Sequence, residues 1–313
     1  MIRNFTRALA VATALGALAA PALAADEEFV LISHAPDSDS WWNTIKNAIN
    51  LAGEEMKVRV DYRNPPTGDL ADMARIVEQA TAAGPDGIIV TIADANVLSG
   101  PIKAAVDQGI PVITINSGTA EQSREMGALM HVGQPEYDAG KAAGERAKAE
   151  GATSFLCVNH YITNPASVER CQGFADALGV PLGNQMVDAG QDPSEIQNKV
   201  AAYLTANPDT SAILTLGPTS AHPTIRAVKD AGLENDIVFG TFDLSAEIAA
   251  AIKDGTIDFA IDQQPFLQGY LPVVFLTNYV RYGVIPANDV NSGPGFITKD
   301  NIAQVEALAG QYR

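Results

Sequence analysis

A regular alternation of strand patterns and helix patterns constrains this 313-residue sequence more than any other feature. Short runs rich in β-branched residues, such as GIIVTIA and PVITINS, alternate with stretches whose apolar residues recur at helical spacing. Because neighbouring parallel strands need a long crossover, this alternation predicts parallel sheets covered by helices. The predicted helices are 43–56, 69–83 and 97–108, then one ending at Leu178, and 193–206 and 219–231.

The same order of elements occurs twice along the chain. Phe29 and Phe155 start corresponding runs 126 residues apart, and Asn116 and Asp243 end corresponding runs 127 residues apart. Internal duplication explains this spacing, so we expect an α/β fold of two Rossmann-like lobes with parallel sheets. Ligands of open parallel sheets bind outside the carboxyl ends of the strands. Two facing lobes would therefore enclose a cleft, with Asn116 and Asp243 opposite each other.

The N-terminal residues predict an export signal. Arg3 and Arg7 precede an apolar run over 8–20, and a small-x-small site follows at 22–24. A membrane span needs about 18 or more apolar residues, and this run is shorter and rich in alanine. We therefore expect a signal peptide at residues 1–24, cleavage after Ala24, and a soluble exported protein. We also expect this protein to be a monomer.

Composition excludes several classes of partner. The sequence has 37 Asp and Glu against 20 Lys and Arg, for a formal net charge of −17. Nucleic acid and anionic membranes bind basic patches, so neither is expected as a partner.

A chain this long exceeds what one simple hydrophobic core organises, which favours two domains. No GxSxG, P-loop, strand-linked GxGxxG or metal-ligand spacing is present, so we predict no catalytic residue, cofactor or metal.

Cys157 and Cys171 are the two cysteines of the chain. Export to an oxidising compartment permits a disulfide between them, and the strand and helix that carry them should pack together. Two buried thiols acting as small apolar side chains are the alternative, which the sequence alone favours.

Several segments together resemble the periplasmic sugar-binding proteins of ABC transporters, in particular the ribose-type group. They are DSDSWWNTIKNAI, PDGIIVTIADANVL with GIPVITIN, HVGQPEYDAGKAAGE, ASVERCQGFADAL, DIVFGTFD and AIDQQPFLQGY. The resemblance rests on their order and spacing and covers the chain after the leader.

The resemblance implies the type I periplasmic binding protein fold, in which about three crossovers form a hinge. The implied crossings are near 131–134, 262–265 and 288–291. The N-terminal lobe would comprise 25–131 plus 265–288, and the C-terminal lobe 134–262 plus 291–313.

The resemblance also implies a ligand site between the lobes. Trp41 and Trp42 match paired aromatics that cover the faces of a sugar ring. Neighbours on a helix point about 100° apart, so we expect one indole to stack on the ligand and the other to pack behind it. Asp39, directly before them, is either a ligand contact or a helix cap.

Polar contacts are implied on both lobes. Arg170 matches an arginine that donates to sugar hydroxyls, and Asp243 matches a carboxylate that accepts two hydroxyl donors. Gln263, at a hinge crossing, offers both a donor and an acceptor. The complete set of predicted ligand-binding residues is Trp41, Trp42, Asp39, Asn116, Arg170, Gln191, Asp243 and Gln263.

Two positions depart from the ribose-type pattern. Ser117 stands where that pattern has an arginine, and Gly217 with Pro218 stands where it has an asparagine followed by an acid. Both changes remove polar contacts of a ribose pocket. A different pentose, a hexose, a polyol or a cyclitol fits the sequence as well.

The implied function is that of a solute-binding component of an ABC importer. It would close its hinge on a small neutral sugar or polyol and deliver it to the membrane permease. Two alternatives remain open: a sensory binding protein for a sugar-like signal and, less favoured, a secreted carbohydrate-active enzyme that uses Asp39 and Asp243. An export signal in place of a helix-turn-helix headpiece argues against a repressor.

Overall fold

The computed structural model describes residues 27–234 and 236–313, so the predicted signal peptide at 1–24 lies outside them. Two six-stranded sheets, each with helices packed on it, form this part of the chain. This confirms the two-lobed α/β fold.

The first sheet has the strand order β11-β5-β4-β3-β1-β2, and its strands are parallel. The strands are β1 (Glu28–Ile32), β2 (Arg59–Arg63), β3 (Gly87–Thr91), β4 (Val112–Ile115), β5 (Met130–Gly133) and β11 (Val290–Asn291). The helices packed with it are α1 (Trp42–Met56), α2 (Leu70–Ala83), α3 (Ala95–Asp107), α4 (Ala120–Glu125) and α10 (Pro265–Tyr282). We call this sheet with its helices the first lobe.

The second sheet repeats this order as β12-β10-β9-β8-β6-β7. Its strands are β6 (Leu156–Asn159), β7 (Met186–Asp188), β8 (Ala212–Thr215), β9 (Val238–Phe242), β10 (Phe259–Asp262) and the antiparallel edge strand β12 (Gly295–Thr298). The helices of this second lobe are α5 (Glu136–Ala149), α6 (Pro165–Leu178), α7 (Pro193–Ala206), α8 (Pro218–Ala231) and α9 (Ala246–Asp254). Equivalent strands occupy equivalent places, as internal duplication predicts.

Alternate residues of the central strands are buried on opposite faces. Phe29 and Leu31 of β1 belong to a cluster with residues of α1 and α10, whereas Val30 and Ile32 belong to a cluster with residues of α2 and α3. Period-two alternation of side chains produces this division. Burial on both faces explains why these strands are continuous apolar runs.

The chain passes between the sheets at three places. It leaves the first sheet after Gly133, returns after Asp262, and crosses again between Asn291 and Gly295. The last crossing lies after the predicted 288–291, because Val290 and Asn291 pair with β5 and extend the first sheet. After β12, short 3-10 turns over 302–308 pack against α9.

Helices α5 and α6 approach unusually closely. A Cβ atom at Gly140 would lie 2.1 Å from the carbonyl oxygen of Arg170, and one at Gly173 would lie 2.1 Å from that of Tyr137. Glycine is therefore required at both positions. The close contact brings the start of α5 against the face of α6 that carries Arg170.

Cys157 in β6 and Cys171 in α6 form a disulfide with a Cα–Cα distance of 5.9 Å. The favoured sequence interpretation, two free thiols, is therefore wrong. The strand and the helix pack directly against each other, which brings the two Cα atoms within the distance that a disulfide spans.

No helix within 27–234 and 236–313 has the length and apolarity that crossing a bilayer requires.

Removing the disulfide should destabilise the second lobe. The bridge joins residues 14 apart, and closing a loop of this size stabilises a protein by about 3 kcal/mol. We expect Cys157→Ala with Cys171→Ala to lower the free energy of unfolding in urea by about 2–4 kcal/mol. Reductant should destabilise the wild type and leave the double variant unchanged. Equal stability of the two proteins in the absence of reductant would contradict the assignment.

Candidate functional site

A cavity lies between the lobes, where the carboxyl ends of the two sheets face each other. It is lined by seven of the eight residues predicted from sequence: Asp39, Trp41, Trp42, Asn116, Arg170, Asp243 and Gln263. Gln191 is not among the lining residues and is exposed to solvent. It follows β7, the edge strand of the second sheet, and precedes the cap of α7, which leaves it outside the cleft.

Asn116 and Asp243 occupy equivalent corners of the two lobes. Each directly follows the fourth strand of its lobe, and each has a left-handed backbone, with φ of 58° and 65°. Asn and Asp adopt this conformation more readily than other non-glycine residues. The sharp bend aims both side chains into the cleft, where Gln263 joins them. Its amide accepts from Asn116 Nδ2 at 3.1 Å and donates to Asp243 Oδ1 at 2.8 Å.

The two tryptophans form an aromatic wall on the first lobe. Their ring centroids are 5.1 Å apart and the planes meet at 78°, so they present different orientations to the cavity. Trp42 is also edge-on to His34 at 5.4 Å. Trp41 Nε1 is buried and has no hydrogen-bond partner among the described residues. The wall therefore offers an indole face and an available donor.

Asp39 both organises the start of α1 and lines the cavity. Its Oδ1 accepts from Trp41 N at 3.1 Å, so one oxygen fixes the turn that presents the aromatic wall. Burial raises the pKa of Asp39 to about 6. The sequence left open a ligand contact or a cap, and the geometry allows both.

Arg170 is held from three sides. Its Nε and Nη2 donate to the two carboxylate oxygens of Glu136 at 2.6 and 2.8 Å, and its Nη1 donates to Leu216 O at 3.1 Å. The guanidinium carbon lies 4.2 Å from the centroid of Phe242. Five N–H groups are available on a guanidinium, and three are used, so two remain for a ligand.

Asp243 is the most deeply buried carboxylate of the cavity wall, with 4% of its surface exposed. Burial raises its pKa to about 7, although Arg170 and the Gln263 hydrogen bond act in the opposite direction. Gln263 satisfies one oxygen. The other carboxylate oxygen, Asp243 Oδ2, would lie 3.6 Å from a Cβ atom at position 217. Because Gly217 has no Cβ, space remains beside the carboxylate.

Contacts across the cleft show that the lobes are closed on each other. Asn164 Nδ2 donates to Ser117 Oγ at 3.2 Å and lies 3.4 Å from His34 Nε2. Tyr161 stacks on His34 at 5.6 Å and donates to Gly68 O at 3.3 Å. Asn164 and Tyr161 belong to the second lobe, and their partners belong to the first. We call these contacts the cross-lobe clasp.

The two cleft histidines, which end equivalent first strands, are neutral near pH 7. Burial and the charge of Arg170 lower the pKa of His34 and of His160 to about 4. His34 Nδ1 is 3.0 Å from Thr91 Oγ1, and His160 Nδ1 is 3.2 Å from Ser220 Oγ. Both rings thus serve as uncharged hydrogen-bonding groups.

Sequence reasoning missed Glu136 and the role of Asn164. Asn164 followed by Pro165 is a helix-start signature, and its Oδ1 does cap α6 by accepting from Ala166 N. The amide nitrogen, left free by that arrangement, makes the cross-lobe contacts. Glu136 carried no local signal, because its partner comes from another helix. No three His, Cys, Asp or Glu side chains converge as a metal site would need within 27–234 and 236–313.

The chain belongs to the periplasmic binding protein family: the family model, described as a periplasmic binding protein domain, matches residues 29–283. Members of this family are binding proteins rather than enzymes.

Solved structures and curated relatives agree with this membership. A carbohydrate transporter from Acidothermus cellulolyticus 11B, crystallised with myo-inositol, is 35% identical with a TM-score of 0.84, covering 91% of this chain and 99% of that one. The xylose/arabinose-binding protein XylF of Sulfolobus acidocaldarius is 28% identical over 79% of this chain and 64% of the relative's own length. The ribose import binding protein RbsB of Escherichia coli is 26% identical over 66% of this chain and 69% of that protein.

The raised pKa of Asp243 predicts a specific pH dependence of stability. The carboxyl titrates near 4 when unfolded and at about 7 when folded, so the wild type loses stability as pH rises through this window. The amide in Asp243→Asn does not titrate, so this variant does not lose stability in that pH range. The difference in unfolding free energy, variant minus wild type, should therefore grow from pH 4 to pH 7, by up to roughly 1.4 kcal/mol per pH unit.

Urea unfolding of both proteins without ligand, at several pH values, measures this difference. The pKa values of His34 and His160 are lowered, so those groups lose stability as pH falls from about 6.5 to 4. Both histidines are present in the wild type and in the variant, so their contributions cancel in the difference of unfolding free energies. A difference that stays constant with pH would show that Asp243 is ionised throughout.

Proposed function

We propose that this chain is the solute-binding component of an ABC importer. It acts in the periplasm, binds a cyclic polyhydroxylated compound (a monosaccharide, polyol or cyclitol) in the inter-lobe cleft, and delivers it to the permease. One observation carries the proposal: indole rings of the first lobe and buried polar side chains of the second lobe line the same cavity.

The unused atoms of the cavity match the chemistry of such a ligand. Trp41 Nε1 and two N–H groups of Arg170 are donors, and Asp243 Oδ2 is an acceptor. Each hydroxyl of a ring polyol is both donor and acceptor, so it can satisfy either kind of atom. The apolar C–H face of the ring suits an indole plane.

The relatives support a ring polyol as the ligand, and they bind several different compounds of this kind. The similar structure from Acidothermus cellulolyticus holds myo-inositol, and the named relatives bind ribose, xylose or arabinose. In this chain, Ser117 and Gly217 line the cavity as small side chains. Small residues at these points leave space beside Asn116 and Asp243, which favours a ligand larger than ribose, such as a hexose or a cyclitol.

Closure follows from where the contacts lie. The aromatic wall is on the first lobe and Arg170 with Asp243 is on the second, so a ligand touches both sets only when the cleft is shut. A ligand that binds the closed form better shifts the hinge equilibrium toward it. The permease would then read the relative position of the two lobes. The export signal in the sequence is consistent with action outside the cytoplasm.

A thermal-shift screen of pentoses, hexoses, polyols and inositols tests the binding function. A ligand of the folded state raises the melting temperature by mass action, by an amount set by RT ln(1 + [L]/Kd). We expect at least one ring polyol to raise it and to change the tryptophan emission. Asp243→Ala should abolish the shift, because its carboxylate contributes ionic hydrogen bonds that are about twice as strong as neutral ones.

Gln191→Ala is the matched control, since that side chain is exposed and outside the cavity. It should retain the full ligand-induced shift. A panel without any hit, or an Asp243→Ala variant that responds like the wild type, would overturn the assignment of the site. Product formation from glycosides would instead indicate an enzyme.

A further inference from the structure

We propose that the physiological ligand carries a positive charge, as an amino sugar or an aminocyclitol does, and that its ammonium group pairs with the carboxylates of the cleft. The inference rests on the proposed function and refines it. It departs from the neutral ligand that the sequence predicts. Four features of the cavity wall lead to it.

First, the arginine of the cleft is paired with a carboxylate of the protein. Glu136 receives two hydrogen bonds from Arg170, and both side chains are at least nine-tenths buried. The pair as a whole carries no net charge, although its guanidinium still lowers the pKa of Asp243, His34 and His160. Among the described residues that line the cavity, Arg170 is the single lysine or arginine.

Second, two further carboxylates line the cavity without an ionic partner. Neither Asp39 nor Asp243 forms a salt bridge with any described residue. Lys46 is near enough to favour the charged form of Asp39, but its ammonium is held over the Tyr62 ring at 4.7 Å and is not part of the cavity wall. Asp243 accepts a hydrogen bond from Gln263, and Asp39 accepts one from Trp41 N. The Trp42 side chain is a further neutral donor that lowers the pKa of Asp39.

Third, no other described residue of the cavity wall supplies positive charge. His34 and His160 are neutral, as their lowered pKa values require, and Ser117 is uncharged. With the Glu136–Arg170 pair neutral as a whole, the cavity wall carries two negative charges when both aspartates are ionised. Burial raises the pKa of both aspartates, although Arg170 acts in the opposite direction at Asp243 and Lys46 does so at Asp39. A bound ammonium would balance that charge and lower both pKa values again.

Fourth, the cavity already contains the second element of an ammonium site. Cations bind over the faces of Trp and Tyr within about 6 Å of the ring centroid, more strongly where water is excluded. Trp41, Trp42 and Tyr161 all line the cavity. An aromatic wall beside unpaired carboxylates suits an ammonium, and the same wall covers the apolar face of a ring. One molecule satisfies both requirements: a ring polyol in which an amine replaces one hydroxyl.

Isothermal titration with matched ligand pairs tests the inference. The pairs are myo-inositol with monoamino-deoxy-inositols, and glucose with glucosamine. N-acetylglucosamine, which keeps the nitrogen and loses the charge, is the third ligand of the second set. We expect the amine of at least one pair to bind about tenfold or more tightly than its hydroxyl partner, the effect of one ionic hydrogen bond. The acetylated form should lose that gain.

Proton release gives an independent readout. A cation favours ionised carboxylates, so binding near pH 6–7 should release protons from Asp39 and Asp243. Titrations in buffers of different ionisation enthalpy measure this release. The charged groups that shift the pKa of Asp243 are Arg170, Asp262 and Glu136, and Lys46 lowers the pKa of Asp39. Of these, Arg170 is paired with Glu136, and Asp262 lies 2.8 Å from Arg313.

Charge variants locate the effect. Asp243→Asn and Asp39→Asn should each reduce the ratio of amine to hydroxyl affinity. Glu136→Gln should reduce it too, because it frees the charge of Arg170. Asp107→Asn, on the exposed end of α3, is the matched control and should leave the ratio unchanged. The ratio is measured within each variant, so partial unfolding does not change it.

The possible results are distinguishable. Tighter binding of an amine, with proton release, supports the inference. Neutral ligands that bind as tightly as their amines, or better, overturn it and leave the proposed function intact. Failure of every ring polyol and amine to bind overturns both.

Discussion

The buried ion pair between Glu136 and Arg170 is the interaction on which the site depends. Glu136 stands at the start of α5, directly after the first crossing between the lobes, and Arg170 reaches the ligand wall from α6. Removing one member of such a pair leaves a buried charge without a partner and costs about 3–5 kcal/mol. The pair thus ties the orientation of a guanidinium that lines the cavity to the first crossing between the lobes. Gly140 and Gly173 permit it, because their lack of a Cβ lets the two helices approach.

Duplication explains the shape of the cleft but not its chemistry. The two sheets have one strand order, and the corner after the fourth strand has the same left-handed backbone in both. At that corner one lobe has the amide of Asn116 and the other has the carboxylate of Asp243. A repeated backbone therefore offers two equivalent positions, and substitution at them makes the pocket asymmetric. Gln263, on the second crossing, joins the two through its amide.

The sequence predicts the fold well because its signals are local. Strand and helix patterns, the repeat spacing and the aromatic pair at the start of α1 all appear in short windows, and the strand-end rule then places Asn116 and Asp243 at the cleft. Contacts between elements that are far apart in the sequence leave no signal in such short windows. The Glu136–Arg170 pair and the disulfide both depend on how α6 packs. Gln191, which the strand-end rule also selected, follows the edge strand β7 and is exposed to solvent outside the cavity lining.

The cross-lobe clasp affects the equilibrium between the open and closed forms, and with it the proposed transport function. The contacts that Asn164 and Tyr161 make with the first lobe involve protein atoms alone, so they stabilise the closed arrangement of the lobes independently of any ligand. A ligand then needs a smaller difference in affinity between the open and closed forms to complete closure. Under the proposed function, molecules that close without a ligand would compete with loaded ones for the permease.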